Sequence, residues 1–272
     1  MANEAFVISA PGVLKLTTLP IESPSPGLGQ VLVRIRAVSL NYRDVLIMEH
    51  SPAYPTATAP GLIPCSDAAG LVEAVVHDSQ WEKGDRVVIV GNNSFKGTDV
   101  RDFVLDESLD PVQLAAAAGA TVIATSSSNK KLQVAKRPGA KHVINYLETP
   151  DWAAEALSLT GTKGVDHVVD VGGADTIEQS LKGVRTGGLV SVVGILSKSH
   201  KADLIPAILF GAKSIRGILG AGSKAMLKAM IQIVEKHQLQ QPVAKVFDFE
   251  QARDAFAAMK ELSGVGKIVI NC

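Results

Sequence analysis

The stretch TVIATSSSNKKL (121–132) carries an apolar run into three serines, an asparagine and two lysines. Hydroxyls beside cations hold phosphate oxygens through charge-assisted hydrogen bonds. In a dinucleotide-binding unit, an acidic residue after the second strand hydrogen-bonds a ribose 2′-hydroxyl, whereas a cation there accommodates a 2′-phosphate. This turn has no carboxylate, and Ser126, Ser127, Lys130 and Lys131 offer hydroxyls and positive charge instead. The plainer alternative is an ordinary polar turn with solvated lysines. Two further apolar runs end in glycine: Gly172 and Gly173 follow VDHVVDV, and Gly194 leads into Ile195 and Leu196 in SVVGIL. Ligands of open α/β sheets sit outside the carboxyl ends of strands, where glycine permits close backbone approach. Glycine also ends many strands that meet no ligand.

To act together, these groups need parallel strands whose carboxyl ends share one edge of a sheet. After residue 110 the chain alternates strand and helix. The strand candidates are TVIATS (121–126), HVINY (142–146), VDHVVDV (165–171), GLVSVVGIL (188–196), SIRGILG (214–220) and KIVI (267–270). Several are nearly continuous apolar runs, as when helices cover both faces of a sheet. Between them, DWAAEALSLTG, ADTIEQSLKGV and SKAMLKAMIQIVEKHQL repeat apolar residues at helical spacing. This alternation predicts an α/β fold with a doubly wound parallel sheet. Before residue 110, short apolar runs alternate with Pro/Gly turns. In VLVRIRAV, Val31, Val33, Ile35 and Ala37 alternate with Leu32, Arg34, Arg36 and Val38, the pattern of a half-buried strand. That half is expected to be β-rich and irregular.

The 272 residues suffice for two modest domains. Lys and Arg number 27 and Asp and Glu 27, so the formal net charge is zero, which argues against a nucleic-acid surface or a basic membrane patch. Cys65 and Cys272 form no closely spaced pair, against a disulfide framework or a cysteine-rich zinc lobe. MANEAFVISAPG lacks the charged start and long apolar run of a signal peptide. No apolar stretch approaches the roughly 18 residues of a membrane span. A soluble cytoplasmic protein is the expectation.

The runs VSLNYRDVLI, GLIPCSDAAGLVEAV, KGDRVV, AAGATVIATSSSNKKL, HVINY, GVDHVVDVGG, GGLVSVVGILS and VGKIVI occur in this order along the chain. Together they resemble the medium-chain dehydrogenase/reductases, and among them the zinc-independent, quinone-oxidoreductase-like alcohol dehydrogenase group. The resemblance spans about residue 25 to the C-terminus. It implies a β-rich GroES-like catalytic domain over 1–110, a Rossmann domain over 111–248, and a closing segment, 249–272, returning to the catalytic domain. It implies NADP(H) as cofactor, since NADP-using relatives place such residues at the turn of Ser126, Ser127 and Lys131, with a tyrosine after the next strand, here Tyr146. Relatives bring the positions of Gly172, Gly173, Gly194, Ile195 and Leu196 against the nicotinamide and its ribose, and that of Lys267 near the cofactor. The helix DLIPAILFGA and strand SIRGILG resemble the family's subunit contact, so a homodimer is expected.

The reacting centre would lie at LNYRD. Zinc-using relatives carry Cys and His in this region and a His-Glu pair soon after, whereas this chain has Asn41 to Asp44 and GLIPCSD. Catalytic zinc needs three protein ligands in matched geometry, and the six scattered histidines show no such spacing, so no metal is expected. Hydride transfer would then rely on nicotinamide positioning, with a hydroxyl or bound water polarising a carbonyl or activated double bond in a small apolar substrate. Tyr42 is the nearest phenol, and Asn41 and Asp44 would orient it or the substrate. Equally, Asn41 and Asp44 read as turn and capping residues before VLIM.

One part of the family pattern is missing. The helix ending AAAAGA should follow a first Rossmann strand and a glycine-rich turn, but DFVLDESLDP precedes it. The first strand is central in a 3-2-1-4-5-6 sheet, and its turn gives backbone N–H groups to the pyrophosphate. The fold expected is therefore a Rossmann-type sheet lacking its usual first strand, which must close up or split. The segment WEKGDRVVIVGNNSFKG (81–97) reads locally like a strand and turn, but Gly91 and Gly97 do not fit G-x-G-x-x-G. The alternative to an oxidoreductase is a non-catalytic remnant, a binding or dimerisation module or the product of a mis-spliced gene.

Overall fold

The computed structural model describes residues 3–19, 26–54, 58–76, 79–89, 111–197, 200–218, 224–261 and 264–272. They fall into two compact units, Met1–Lys96 with Gln240–Cys272, and Gly97–Leu239. Residues 90–110, which include the turn after VVI and all of DFVLDESLDP but its proline, lie outside the described residues.

In the first unit, β1 (Glu4–Ala10) and β2 (Val13–Thr18) form an antiparallel hairpin. The remaining strands are β3 (Val31–Leu40), β4 (Asp67–Val75), β5 (Arg86–Ile89), β11 (Val243–Asp248) and β12 (Lys267–Asn271), and they make one sheet in the order β11-β12-β3-β4-β5. Because β5 pairs with β4, the VVIV segment serves this sheet and not the second unit's. The alternation expected in β3 is interrupted by register shifts at Leu32/Val33 and Ile35/Ala37. Opposite them, a Cβ on Gly70 would lie 2.3 Å from the Arg34 carbonyl oxygen, so only glycine permits that approach. Helices α1 (Tyr42–Met48) and α8 (Ala252–Lys260) add to one core containing Phe6, Ile8, Leu40, Val45, Phe256 and Ile268.

The return to this unit begins at Gln240, not at residue 249. The cause is β11, which pairs in parallel with β12 and buries Phe247 in the core. Its other residues are exposed, so VAKVFD lacks the apolar run that marks a buried strand.

The second unit alternates helix and strand: α2 (Pro111–Ala117), β6 (Val122–Ser126), α3 (Asn129–Lys136), β7 (Ala140–Asn145), α4 (Trp152–Leu159), β8 (Val165–Asp170), α5 (Ile177–Gly183), β9 (Val184–Val192), α6 (Ile205–Phe210), β10 (Ser214–Gly217) and α7 (Lys224–His237). Strand β9 starts earlier than the expected residue 188, because Val184 is buried and pairs with Val165. All strand pairs are parallel, but they form two ladders, β6-β7 and β10-β9-β8. Among the described residues no strand joins β6 to β8. In the family order these would flank the first strand; among the described residues the two ladders stay separate, the split form of the two outcomes expected.

Each ladder has its own apolar cluster. Val190 of β9 packs with Ile177 and Leu181 of α5, whereas Leu114 of α2 packs with Met230 of α7. The two halves meet through helices: α4 packs on β7 and also on α5. Buried Ala153 and Ala156 permit this contact, and Gln179 Oε1 accepts a hydrogen bond from Ala153 N at 3.0 Å. No helix among the described residues is long and apolar enough to cross a membrane.

Candidate active site

Sheet order places three polar side chains together in the first unit. Asn41 follows β3, Asp67 opens β4 and Lys267 opens β12, on the strands that flank β3. Register pairs Ser39 with Asp67 and Leu40 with Ile268, so all three reach the same end of the sheet. Asn41 Nδ2 donates to Asp67 Oδ2 at 2.7 Å, and Asn41 Oδ1 accepts from Lys267 Nζ. A carboxylate on its amide side and an ammonium on its carbonyl side fix the orientation of this side chain.

Asn41 is also the N-cap of α1, with extended backbone. Asp44 Oδ2 accepts from Asn41 N at 2.9 Å, and Asp44 Oδ1 accepts from Arg43 Nη1 at 3.1 Å. Arg43 in turn donates from Nε to Tyr54 Oη at 3.0 Å. Asp44 is fully buried, and burial pushes its carboxyl up to about 7, against the Asn41 N–H and the Arg43 charge, which favour ionisation. Burial also pushes the Cys65 thiol up, so it is an inert packing residue. Both readings of Asn41 and Asp44 thus have support: Asp44 caps the helix, whereas the Asn41 side chain engages Asp67 and Lys267. Tyr42 opens α1 half-buried, and its hydroxyl is not part of this network. Among the described residues, no group of three or more His, Cys, Asp and Glu is arranged to hold a metal ion.

In the second unit, Gly172 and Gly173 form the turn after β8 and Gly194 follows β9. Buried Asp170 builds this turn: its Oδ1 accepts from Gly173 N at 2.8 Å and Thr176 Oγ1 at 2.7 Å, and its Oδ2 accepts from Ser180 Oγ at 2.6 Å. Ser197 Oγ ties the loop after β9 to it by donating to the Gly172 carbonyl at 2.7 Å. Gly173 has φ +83°, and a Cβ on Gly194 would sit 2.4 Å from the Val171 carbonyl oxygen. The two strand ends touch because both positions are glycine. Ile195 and Leu196 lie beside this junction, about half exposed.

The polar turn after β6 is organised differently. Ser128 caps α3, accepting from Lys131 N at 3.4 Å, and Ser126 Oγ accepts from Ser128 N at 3.3 Å. Tyr146 N donates to the Ser126 carbonyl at 3.1 Å, so the residue after β7 lies beside the end of β6. Ser126, Ser127, Lys131 and Tyr146 therefore gather at one strand edge. A nicotinamide dinucleotide fits the residues present at its two ends, through this turn and the glycine junction. At its middle, no glycine-rich turn stands before α2 among the described residues, where Pro111 opens the helix.

Three members of the first network escaped sequence reasoning: Asp67, Arg43 and Tyr54. Asp67 had a signal, as the carboxylate in GLIPCSD where relatives carry His-Glu. Nothing in the spacing of Arg43 and Tyr54 announces their contact.

The sequence matches the alcohol dehydrogenase GroES-like domain over residues 27–102 and the zinc-binding dehydrogenase family over 111–236. A zinc-type alcohol dehydrogenase-like protein of Schizosaccharomyces pombe is 29% identical over 316 aligned positions, covering 89% of this chain and 90% of the relative. That alignment is longer than the 272 residues of this chain, so the relative carries residues with no counterpart here. The quinone oxidoreductase of Rattus norvegicus is 24% identical, covering 99% of this chain and 97% of its own. Among solved structures, a putative alcohol dehydrogenase from Sinorhizobium meliloti superposes with a TM-score of 0.81 at 27% identity, covering 99% of this chain and 98% of that one. The chain belongs to the medium-chain dehydrogenase/reductase superfamily of oxidoreductases, in its quinone-oxidoreductase-like group.

Proposed function

We propose that this chain is an NADP(H)-dependent, zinc-independent oxidoreductase that reduces a carbonyl or an activated carbon–carbon double bond in a small apolar substrate, with a weakly held cofactor. The observation that carries this reading is the Lys267–Asn41–Asp67 network. An ammonium, an amide and a carboxylate are joined at one sheet end beside an apolar core, and helix capping does not account for the contacts of the Asn41 amide with Asp67 and Lys267. Ser126, Ser127, Lys131 and Tyr146 would hold the phosphorylated ribose, and Gly172, Gly173, Gly194, Ile195 and Leu196 the nicotinamide end. When bound, the reduced nicotinamide supplies a hydride. Asn41 orients the substrate or the Tyr42 phenol, and the phenol or a water donates to the substrate oxygen as negative charge develops. Lys267 holds Asn41 and adds positive charge near that oxygen.

The weak hold follows from the missing turn. Hydrogen bonds to charged groups contribute roughly 1.5–3 kcal/mol each. Losing two weakens binding by roughly two to four orders of magnitude, from micromolar toward millimolar. Purified protein supplied with millimolar NADPH and a simple quinone, an enone or an aldehyde should oxidise NADPH. No turnover of any of the three by folded protein would overturn the reading. The lack of a glycine-rich turn before VQLAAAAGA in the sequence favours a second reading, a non-catalytic remnant that survives as a binding or dimerisation module. The exposed Ile205, Leu209 and Phe210 of α6, beside β10, supply an apolar face for a homodimer in either case.

A further inference from the structure

The turn after β6 lacks a carboxylate in sequence, but the fold brings one to it from the turn after β7. Glu148 Oε1 accepts hydrogen bonds from Asn129 Nδ2 at 2.5 Å and from Asn145 Nδ2 at 3.0 Å. Asn129 is the first residue of α3, directly after the cap Ser128, and Asn145 is the last residue of β7. Asn145 Nδ2 also donates to Asn129 Oδ1 at 3.0 Å, which closes a ring of two amides and one carboxylate over the start of α3. The same β7 turn is joined to Ser126 through Tyr146 N. Glu148 is exposed and is held by these two amides on the β7 turn whose Tyr146 N reaches the end of β6. Its remaining oxygen stays an acceptor.

We infer that Glu148 is a cofactor-specificity residue. It places a negative charge at the ribose subsite that opposes a 2′-phosphate and accepts from a 2′-hydroxyl. The positive charge of Lys130 and Lys131 is thereby partly offset, which narrows the preference of the site for NADP(H) over the unphosphorylated cofactor. This inference rests on the dinucleotide reading above. It assigns the specificity of that site to a residue that reaches the ribose turn from the following strand, whereas the sequence at the end of β6 holds serines, Asn129 and lysines but no carboxylate.

The test uses half-cofactors, which need neither the missing pyrophosphate turn nor catalysis. Binding of 2′,5′-ADP and of 5′-AMP to the full chain is measured by calorimetry, for the unmodified protein and for Glu148→Gln. Glutamine has the size of glutamate and keeps one carbonyl acceptor for the two asparagines. A 2′-phosphate carries a charge near −2, and removing one opposing surface charge a few ångströms away is worth about a factor of 10. The expected result is affinities for the two nucleotides within about tenfold in the unmodified protein, a gain of about tenfold for 2′,5′-ADP in Glu148→Gln, and 5′-AMP binding no stronger than before. Raising the salt concentration should shrink the gain. If both nucleotides bind and their ratio is the same in the two proteins, the specificity role is wrong while the dinucleotide reading stands. If neither nucleotide binds either protein at millimolar concentration, the dinucleotide reading itself falls, and this inference with it.

Discussion

Among the described residues, the first unit binds five strands into one sheet, whereas the five parallel strands of the second fall into ladders of two and three. Where the sheet is continuous, neighbouring strands deliver Asn41, Asp67 and Lys267 to one point in fixed register. Where it is split, strand ends still form two well-built turns, one around Asp170 and one around Ser128. The difference lies in how far local structure goes. Hydrogen bonds within a turn need only a few nearby residues, and they survive without the central strand. The pyrophosphate cradle needs the first strand, its turn and the helix N-terminus in sequence, and it goes when they go.

The largest effect should come from closing the split. Inserting an apolar strand and a glycine-rich turn before Val112 is expected to tighten NADPH binding by roughly 100- to 10,000-fold, the reverse of the loss estimated from two hydrogen bonds to charged groups. Equilibrium dialysis reads this directly. An insertion that folds and binds no better would show that the split is not what limits the cofactor.

Next in size is the pH response of the intact unit. Burial raises the folded-state value of Asp44 to about 7, above the 3.8 of an ordinary aspartate. Below pH 3.8 the group is protonated in both states and its contribution is fully present. As pH rises toward 7 the unfolded chain releases this proton first, so stability falls, by up to about 4 kcal/mol for this group. Asp44→Asn should flatten that decline in urea denaturation series between pH 4 and pH 7, because asparagine keeps an acceptor for Asn41 N. An unchanged slope would mean that Asp44 is ionised in the folded protein throughout.

Hydrogen exchange should then report on the edges of β6 and β8 that have no partner strand among the described residues. Amides of β6 and β8 that point away from their single partner strand are expected to exchange at least about 100-fold faster than those of β3, which is paired on both sides. Equal protection would indicate that another segment covers those edges. The smallest effect belongs to the surface contact between the halves of the second unit. Lys182 Nζ donates to Asp151 Oδ2 at 2.5 Å, and both groups are about half exposed. Lys182→Ala should shift the melting temperature by no more than about 2 °C, since solvent screens such a pair.

Much of this comparison was legible in the sequence. Continuous apolar runs marked β6, β8 and β9, and the passage from LDP straight into VQLAAAAGA announced the missing strand. β11 was not legible, because only Phe247 of its six residues is buried and an edge strand needs no apolar alternation. Ser126, Lys131, Gly172 and Gly194 stand in turns that local sequence builds, so their placement at strand ends was legible; their role toward a cofactor is a proposal. Asp67 and Glu148 were missed for a shared reason: each acts on a neighbouring strand or turn, Asp67 on Asn41 and Glu148 on Asn129. Sequence spacing of 26 and 19 residues gives no sign of those contacts.

The central claim is that the catalytic half is built and the cofactor is held without its pyrophosphate cradle. The most direct test is the dissociation constant of NADPH for the unmodified chain, by equilibrium dialysis on protein shown to be folded. The account predicts binding at roughly millimolar concentration. Micromolar binding would contradict it, and would mean that some other part of the chain supplies what the missing strand and turn provide in relatives.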